Sequence, residues 1–332
     1  MPTNRTRHLM TVCSMVMVGL AATSGAASAP TLPGNLEIAA ATPSGGAITS
    51  LALDPRNPRI IYAGTSKAGV FKSLNGGKTW QERSALSGGV LALAVHPTRP
   101  GVVYAAMGRR GVFRTSDGGQ RWQAMNVGLR SSRVAVLEVA RAQPEVVYAG
   151  TSEGIFKSTD GGQRWHEAWR GVGHDVRDVA VDPTNPRIIY ATTYGWVLKS
   201  SDGARTWRTV WNRTLGGPAG VYGRDLPIIA IHPRTPKTMY VGANGVGRTS
   251  DGGRSWVGEL REHRITAFAF DPLTPDTVFA ASYQGVYQRA ADGTGWEAIG
   301  RRVRYFSLAI DPQGTKLYAG TGRGVVTYKL RQ

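Results

Sequence analysis

The sequence predicts an all-β fold, a seven-bladed β-propeller of four-stranded blades, from three observations. An eight-residue turn motif recurs as SLNGGKTW, TSDGGQRW, STDGGQRW, SSDGARTW and TSDGGRSW, with a shortened AADGTGW after them. These copies end at Trp80, Trp122, Trp165, Trp207, Trp256 and Trp296. Two kinds of apolar run recur with the same period, each seven times. Gly and Pro, at 43 and 18 residues, suit strands joined by tight turns. Four short strands repeating every ~42 residues are the mark of propeller blades.

The first 29 residues read as a signal peptide rather than as part of the fold. Arg5, Arg7 and His8 form a basic start, Leu9 to Ala22 an apolar stretch, and Gly25 to Ala29 a run of small residues. Cleavage is expected between Ala26 and Ala29. Residues 30–332 are then one propeller domain. Loss of Arg5 and Arg7 lowers the formal charge from +18 to 18 − 2 = +16. Cys13, the single cysteine, leaves with the same segment, which excludes a disulfide scaffold and cysteine-ligated zinc or iron–sulfur sites. No later stretch is long and apolar enough to span a membrane. The expected product is exported, secreted or periplasmic, and monomeric.

Within each unit the order is constant. The first strands are expected at Ile48–Asp54, Val90–His96, Val134–Ala140, Val176–Asp182, Ile228–His232, Ile265–Asp271 and Tyr305–Asp311. Most end in Asp-Pro or His-Pro, which places His96 and His232 in structural positions. The second strands read IIYAGT, VVYAAM, VVYAGT, IIYATT, TMYVGA, TVFAAS and KLYAGT. The third follow Gly69, Gly111, Gly154, Gly195, Gly245, Gly285 and Gly324, and the fourth are led by the motif tryptophans. The seventh unit stops at Gln332 without a fourth strand. The apolar LEIAAA within Asn35–Thr42 is expected to supply it and close the ring, leaving no unpaired radial edge.

Asn75, Asp117, Asp160, Asp202, Asp251 and Asp292 lead the motif turns. Their side chains can accept hydrogen bonds from backbone N–H groups in the same turn, and the Gly that follows tolerates positive φ. Recurrence on one turn type argues for a structural role. The motif S/T-x-D-G-G-x-x-W resembles the Asp box, or bacterial neuraminidase repeat, over about residues 35–332. Proteins with this repeat include sialidases, xyloglucan-type endoglucanases, sortilin-type receptors and the seven-bladed photosystem II assembly and stability factors. The single-ring length, the exported start and the YAGT…GVFKS…DGG…W unit look most like the last of these. That resemblance implies a non-enzymatic scaffold that helps assemble or stabilise a membrane-associated complex.

Loops from fourth strand to next first strand share one face with loops from second to third strand. That face collects the candidate binding residues Arg109, Arg110, Arg133, Arg177, Tyr194, Trp196, Arg224, Arg261, Arg264, Tyr283, Arg301, Arg302, Arg304 and Arg323. Arginine grips carboxylate or phosphate with a planar fork, so an acidic protein partner is expected. Arg also makes up 32 of the 40 basic residues, a bias that genome composition alone can produce. The alternative is a carbohydrate-active hydrolase or lectin of the Asp-box class. Paired carboxylates for glycoside hydrolysis would come from Asp175 or Asp178 with Asp225 or Glu262, but each sits beside arginines and reads as an ordinary ion pair. A sialidase needs an Arg-Ile-Pro element, and none is present. No catalytic residue, metal site or cofactor is expected, since no two histidines have ligand spacing. Nucleic acid would suit the charge, but the exported start and the absence of a nucleic-acid motif argue against it.

Overall fold

The computed structural model describes residues 42–83, 86–171, 175–212, 228–290, 293 and 295–331, together with the strand at 36–38. Among these residues there are strands and no helix, and therefore no helix long and apolar enough to cross a membrane. Strand β1 (Leu36–Ile38) comes first. The first sheet has β2 (Ile48–Leu53), β3 (Ile61–Thr65), β4 (Val70–Ser73) and β5 (Gln81–Glu82). The second has β6 (Ala92–Val95), β7 (Val103–Ala106), β8 (Val112–Thr115) and β9 (Gln123–Ala124). The third has β10 (Val134–Val139), β11 (Val147–Thr151), β12 (Gly154–Ser158) and β13 (His166–Arg170). The fourth has β14 (Asp178–Val181), β15 (Ile189–Thr193), β16 (Trp196–Ser200) and β17 (Arg208–Asn212). Each is antiparallel, in chain order.

The next two units share one six-stranded sheet of β18 (Ile228–Ile231), β19 (Met239–Thr249), β20 (Val257–Phe270), β21 (Val278–Ser282), β22 (Val286–Arg289) and β23 (Trp296–Ala298). Its 14-residue β20 pairs with β19 through Val257, Gly258, Glu259 and Arg264, and with β21 through Ile265 to Phe270. Positive φ at Leu260 (39°) and Glu262 (63°) marks the kink between the two halves. The last sheet combines β24 (Tyr305–Ile310), β25 (Lys316–Thr321) and β26 (Gly324–Lys329) with β1, in the order β1-β26-β25-β24. Leu36, Glu37 and Ile38 pair antiparallel with Tyr328, Thr327 and Val326. The segment from the start of the chain therefore takes the fourth place, as the missing strand requires.

Apolar residues from facing sheets make the core, unit by unit. Ile48, Leu51 and Phe71 of the first sheet cluster with Ala309, Tyr318 and Val325 of the last. Side chains of the first strands add hydrogen bonds from sheet to sheet. Thr49 Oγ1 donates to the Val90 carbonyl (2.7 Å), and Thr266 Oγ1, at the same position of its unit, donates to the Tyr305 carbonyl (2.9 Å). Ser307 Oγ donates to the Ile48 carbonyl (3.3 Å), linking the last sheet to the first.

The motif turns have the expected construction. Asp117 Oδ1 accepts from the backbone N–H groups of Gln120 and Arg121, both at 2.9 Å. Asp160, Asp202, Asp251 and Asn75 make the equivalent bond to the residue four positions on. The preceding hydroxyl works in both directions. Ser158 Oγ donates to Asp160 Oδ1 (2.8 Å) and accepts from the Gly162 N–H (2.8 Å). Hydrogen bonds from the Thr206 hydroxyl and backbone hold the Asp202 carboxyl well below the usual carboxylate range. Gly161 and Gly162 adopt φ of 70° and 88°, the left-handed region that Gly enters without cost. Asp292 lies outside the described residues. Three of the tryptophans that end these turns reach back one unit. Trp122, Trp165 and Trp207 donate their indole N–H to the carbonyls of Arg83, Met125 and Ala168 at 2.8, 2.8 and 3.1 Å.

The Asp-Pro turns are capped the same way. Asp54 Oδ1 accepts from the Arg56 and Asn57 N–H groups, and Asp182 from those of Thr184 and Asn185. His96 and His232 replace that carboxylate as expected. Each is buried and accepts two backbone N–H groups at Nδ1. Burial pushes both imidazoles below their ordinary pKa, in keeping with a neutral ring that accepts.

Candidate functional site

Antiparallel pairing brings alternate connections of each sheet to one end. Arg177, at the start of β14, donates its N–H to the Thr192 carbonyl (2.8 Å) and holds its guanidinium 5.4 Å from the ring centroid of Tyr194, in the β15–β16 connection. The same guanidinium bonds Asp175 at 2.8 Å, and Arg133 approaches that carboxylate at 3.7 Å. Burial pulls the Arg177 guanidinium below its ordinary pKa, and Asp175 opposes the shift. Asp175 is thus occupied by arginines, as the sequence suggested.

A second cluster forms where β20, the β21–β22 connection and the approach to β24 meet. The guanidiniums of Arg264 and Arg304 lie 4.7 and 5.3 Å from the ring centroid of Tyr283. Phe306 meets that ring edge-on, with centroids 5.9 Å apart. Beside it is a cavity of about 700 Å³ walled by Val303, Tyr305, Phe306, Val325 and Val326, with Thr42, Arg301, Arg304 and Arg323 among its lining residues and no carboxylate. Arg301, Arg302, Arg304 and Arg323 are exposed.

Direct contacts join the sequence-selected residues into these two clusters rather than one continuous patch. Arg109 and Arg110 stand apart in the second sheet, where Arg110 donates to the Ser87 carbonyl (2.6 Å) and stacks on Phe113. Arg261 is exposed, and its carbonyl lies 2.6 Å from His263 Nδ1. Trp196 is half-buried and packs on the core between the third and fourth sheets, so its ring serves packing. Arg224 and Asp225 lie outside the described residues.

Sequence reasoning missed a third group, around the first strands β10, β14 and β18. Two positions before the Asp or His of the proline turn, six units carry Ala52, Ala94, Ala180, Ala230, Ala269 and Ala309, and the third carries Glu138. Where the same six units carry proline, the third carries Arg141. Glu138, Arg141 and Asp178 line a small cavity of about 40 Å³ with Ala180, Val181, Pro183 and Ile229 to Ile231. Asp178 is 4% exposed and accepts from the N–H groups of Val179 (2.9 Å) and Ile229 (3.0 Å). Glu138 is half-buried and lines this narrow space. Burial and then the Asp178 charge push its carboxyl up to about 8, and burial pushes Asp178 up to about 8. Burial lowers Arg141 to about 10, with Glu138 opposing. The signal was the break in the repeat. Among the described residues no three His, Cys, Asp or Glu side chains group as metal ligands.

On the side of the proline turns is a larger cavity of about 810 Å³. All seven turns contribute to it, through Pro55, Pro97, Ala142, Pro183, Pro233, Pro272 and Pro312, with Arg56, Arg141 and Arg234 on its walls.

No protein-family model matches the chain, and no curated protein matches it in sequence. Solved structures do. A GH74 xyloglucanase from Xanthomonas campestris matches with a TM-score of 0.71 at 17% identity, over 90% of this chain and 54% of that one. An ancestral GH74 enzyme matches with a TM-score of 0.58 at 21% identity, over 69% of this chain and 34% of that one. YCF48 bound to a D1 peptide matches with a TM-score of 0.68 at 14% identity, over 92% of this chain and 100% of that one. The chain thus spans about half the length of the xyloglucanase and about a third of the ancestral enzyme. At these identities the likeness concerns the fold: the chain is an all-β protein of the propeller architecture.

Proposed function

We propose that the protein is an exported, seven-bladed propeller whose arginine-bearing face binds an acidic segment of another protein, in the assembly or stabilisation of a membrane-associated complex. Three observations support the ring of seven. The corresponding turns of seven units line one cavity, Ser307 bonds Ile48 across the chain's two ends, and β1 fills the fourth place in the last sheet. In this reading β20 belongs to two blades, its first half to the fifth and its second to the sixth.

The observation that carries the binding reading is the second cluster. Two guanidiniums meet one tyrosine ring beside an apolar cavity that no carboxylate lines. Like charges held close repel, and an incoming carboxylate relieves that repulsion while an apolar neighbour fills the cavity. YCF48 bound to a D1 peptide has the same fold and agrees with peptide recognition. The second reading, a carbohydrate-active protein, has the GH74 likeness behind it. It is the weaker one here, because Asp175 is held by two arginines instead of facing a second carboxylate across a cleft.

The test begins with capture of the partner by the mature protein from its native cells. Replacing Arg301, Arg302 and Arg304 by Ala should then slow association and flatten its dependence on salt, because exposed charges steer encounter over a Debye length of about 8 Å. Each change at these exposed positions should cost stability within about 0.5 kcal/mol. The control removes equal charge from the Asp-box turns at the other end, at Arg164, Arg205 and Arg254. Equal weakening by both triple variants would assign binding to net charge and refute a defined site.

A further inference from the structure

We propose that the cavity ringed by the proline turns is a binding well for a small polyanion, held by Arg56, Arg141 and Arg234. This goes beyond the arginine face at the opposite end, and either reading can fail without the other.

The first argument is charge. Three of the seven turns bring a guanidinium to one cavity, and no Asp or Glu lines it. None of the three makes an ion pair with a carboxylate among the described residues. The second is size and rigidity. A volume of about 810 Å³ suits a small molecule, and seven prolines fix the wall. Little ordering entropy is then lost on binding.

The third is the broken repeat. A repeating fold has one best answer for each turn, and departures from it mark positions kept for another purpose. The third unit gives up the capping Asp or His, for Ala140, and the proline, for Arg141. It thereby loses the carboxylate or imidazole cap that Asp54, His96, Asp182 and His232 supply elsewhere. It gains a guanidinium that lines both the well and the smaller cavity beside it.

Glu138 is the nearby counter-charge. It faces Arg141 from β10 and Asp178 from β14, while β18 offers only Ile229 to Ile231. Its raised pKa leaves it largely protonated at neutral pH, so that Arg141 stays available to an anion. Guanidiniums bind phosphate and carboxylate oxygens alike. The ligand class is therefore a small molecule with two or more such groups, a phosphate ester or a polycarboxylate.

The full-length mature chain should be titrated by calorimetry with tripolyphosphate and, separately, with citrate, at constant ionic strength. Saturable binding of one molecule is expected for at least one of them. Binding of tripolyphosphate alone assigns phosphate esters, and binding of citrate alone assigns polycarboxylates. Arg141→Gln should weaken binding at least about tenfold. The pair Arg56→Gln and Arg234→Gln, both exposed, should do the same and keeps the test independent of any folding defect at Arg141. The pair Arg301→Gln and Arg302→Gln on the opposite face should change affinity less than about twofold. Absence of saturable binding by both probes, or equal weakening by the two pairs, would overturn the proposal. So would unchanged affinity in the Arg56 and Arg234 pair.

Discussion

Ser158 and Asp160 divide one turn between them. The Asp160 carboxylate accepts the Arg164 N–H, which is exposed and has water as an alternative. The fully buried Ser158 hydroxyl accepts the Gly162 N–H, which has none. A buried donor left without a partner costs about 1–3 kcal/mol, and an ordinary hydrogen bond contributes about 0.5–1.5 kcal/mol net. Ser158→Ala should therefore destabilise more than Asp160→Ala, although the aspartate gives the motif its name. Urea unfolding of the two variants checks this, and the reverse order would contradict it. Glu138 and Asp178 make a second prediction. Folding raises both carboxyls to about 8, so the folded chain keeps protons that the unfolded chain releases. The stability they contribute is full below the ordinary carboxylate range and is lost as pH rises toward 8. Glu138→Gln should flatten the fall in melting temperature between about pH 5 and 8.5, and parallel curves would argue against it. His96 and His232 act in the opposite sense. Their lowered pKa means stability is present above the ordinary histidine value and lost as pH falls through the folded one.

Element by element, the strands were legible because their signals are local. Asp, Gly and Trp recur at fixed offsets, and each turn is built from residues within five positions of one another. The join inside β20 was less legible, although its reason is in the sequence. Other fourth-to-first connections carry glycine, as at Gly88-Gly89, Gly128, Gly171 and Gly300. From Glu259 to Phe270 there is none, and the chain continues as strand. The binding face was legible as a list and not as an arrangement. Arg264 and Arg304 are 40 positions apart, and only sheet packing brings both to Tyr283. Trp196 packs half-buried on the core between the third and fourth sheets, because a strand shows alternation but not which flank meets a neighbouring sheet. Glu138 and Arg141 are visible only when the repeats are aligned and the exceptions, rather than the matches, are read.

At the scale of the whole molecule, the proposed ring depends on β1. Three residues, Leu36 to Ile38, pair with β26 and cover an edge that would otherwise offer open N–H and C=O groups. Deleting residues 30–42 should lower the melting temperature sharply and promote association through the exposed strand. An unchanged melting temperature and a monomeric deletion variant would sink the closure model. The deletion also removes Thr42, which walls the cavity beside Arg301, Arg304 and Arg323. Binding through that cluster should weaken along with stability.

The indole bonds that tie Trp122, Trp165 and Trp207 to the unit before them all point the same way along the chain. The second, third and fourth units therefore find their docks already made when they leave the ribosome. Growth can proceed like a zipper from the first unit onward, without waiting for sequence still to come. One contact cannot form in that order. β1 precedes every other described strand, and its partner β26 follows them all. Until β26 appears, β1 stays unpaired, and a chain cut before β26 exposes it. Copies cut short before β26 thus carry a free strand that chaperones and proteases can recognise, and a chain that includes β26 hides it.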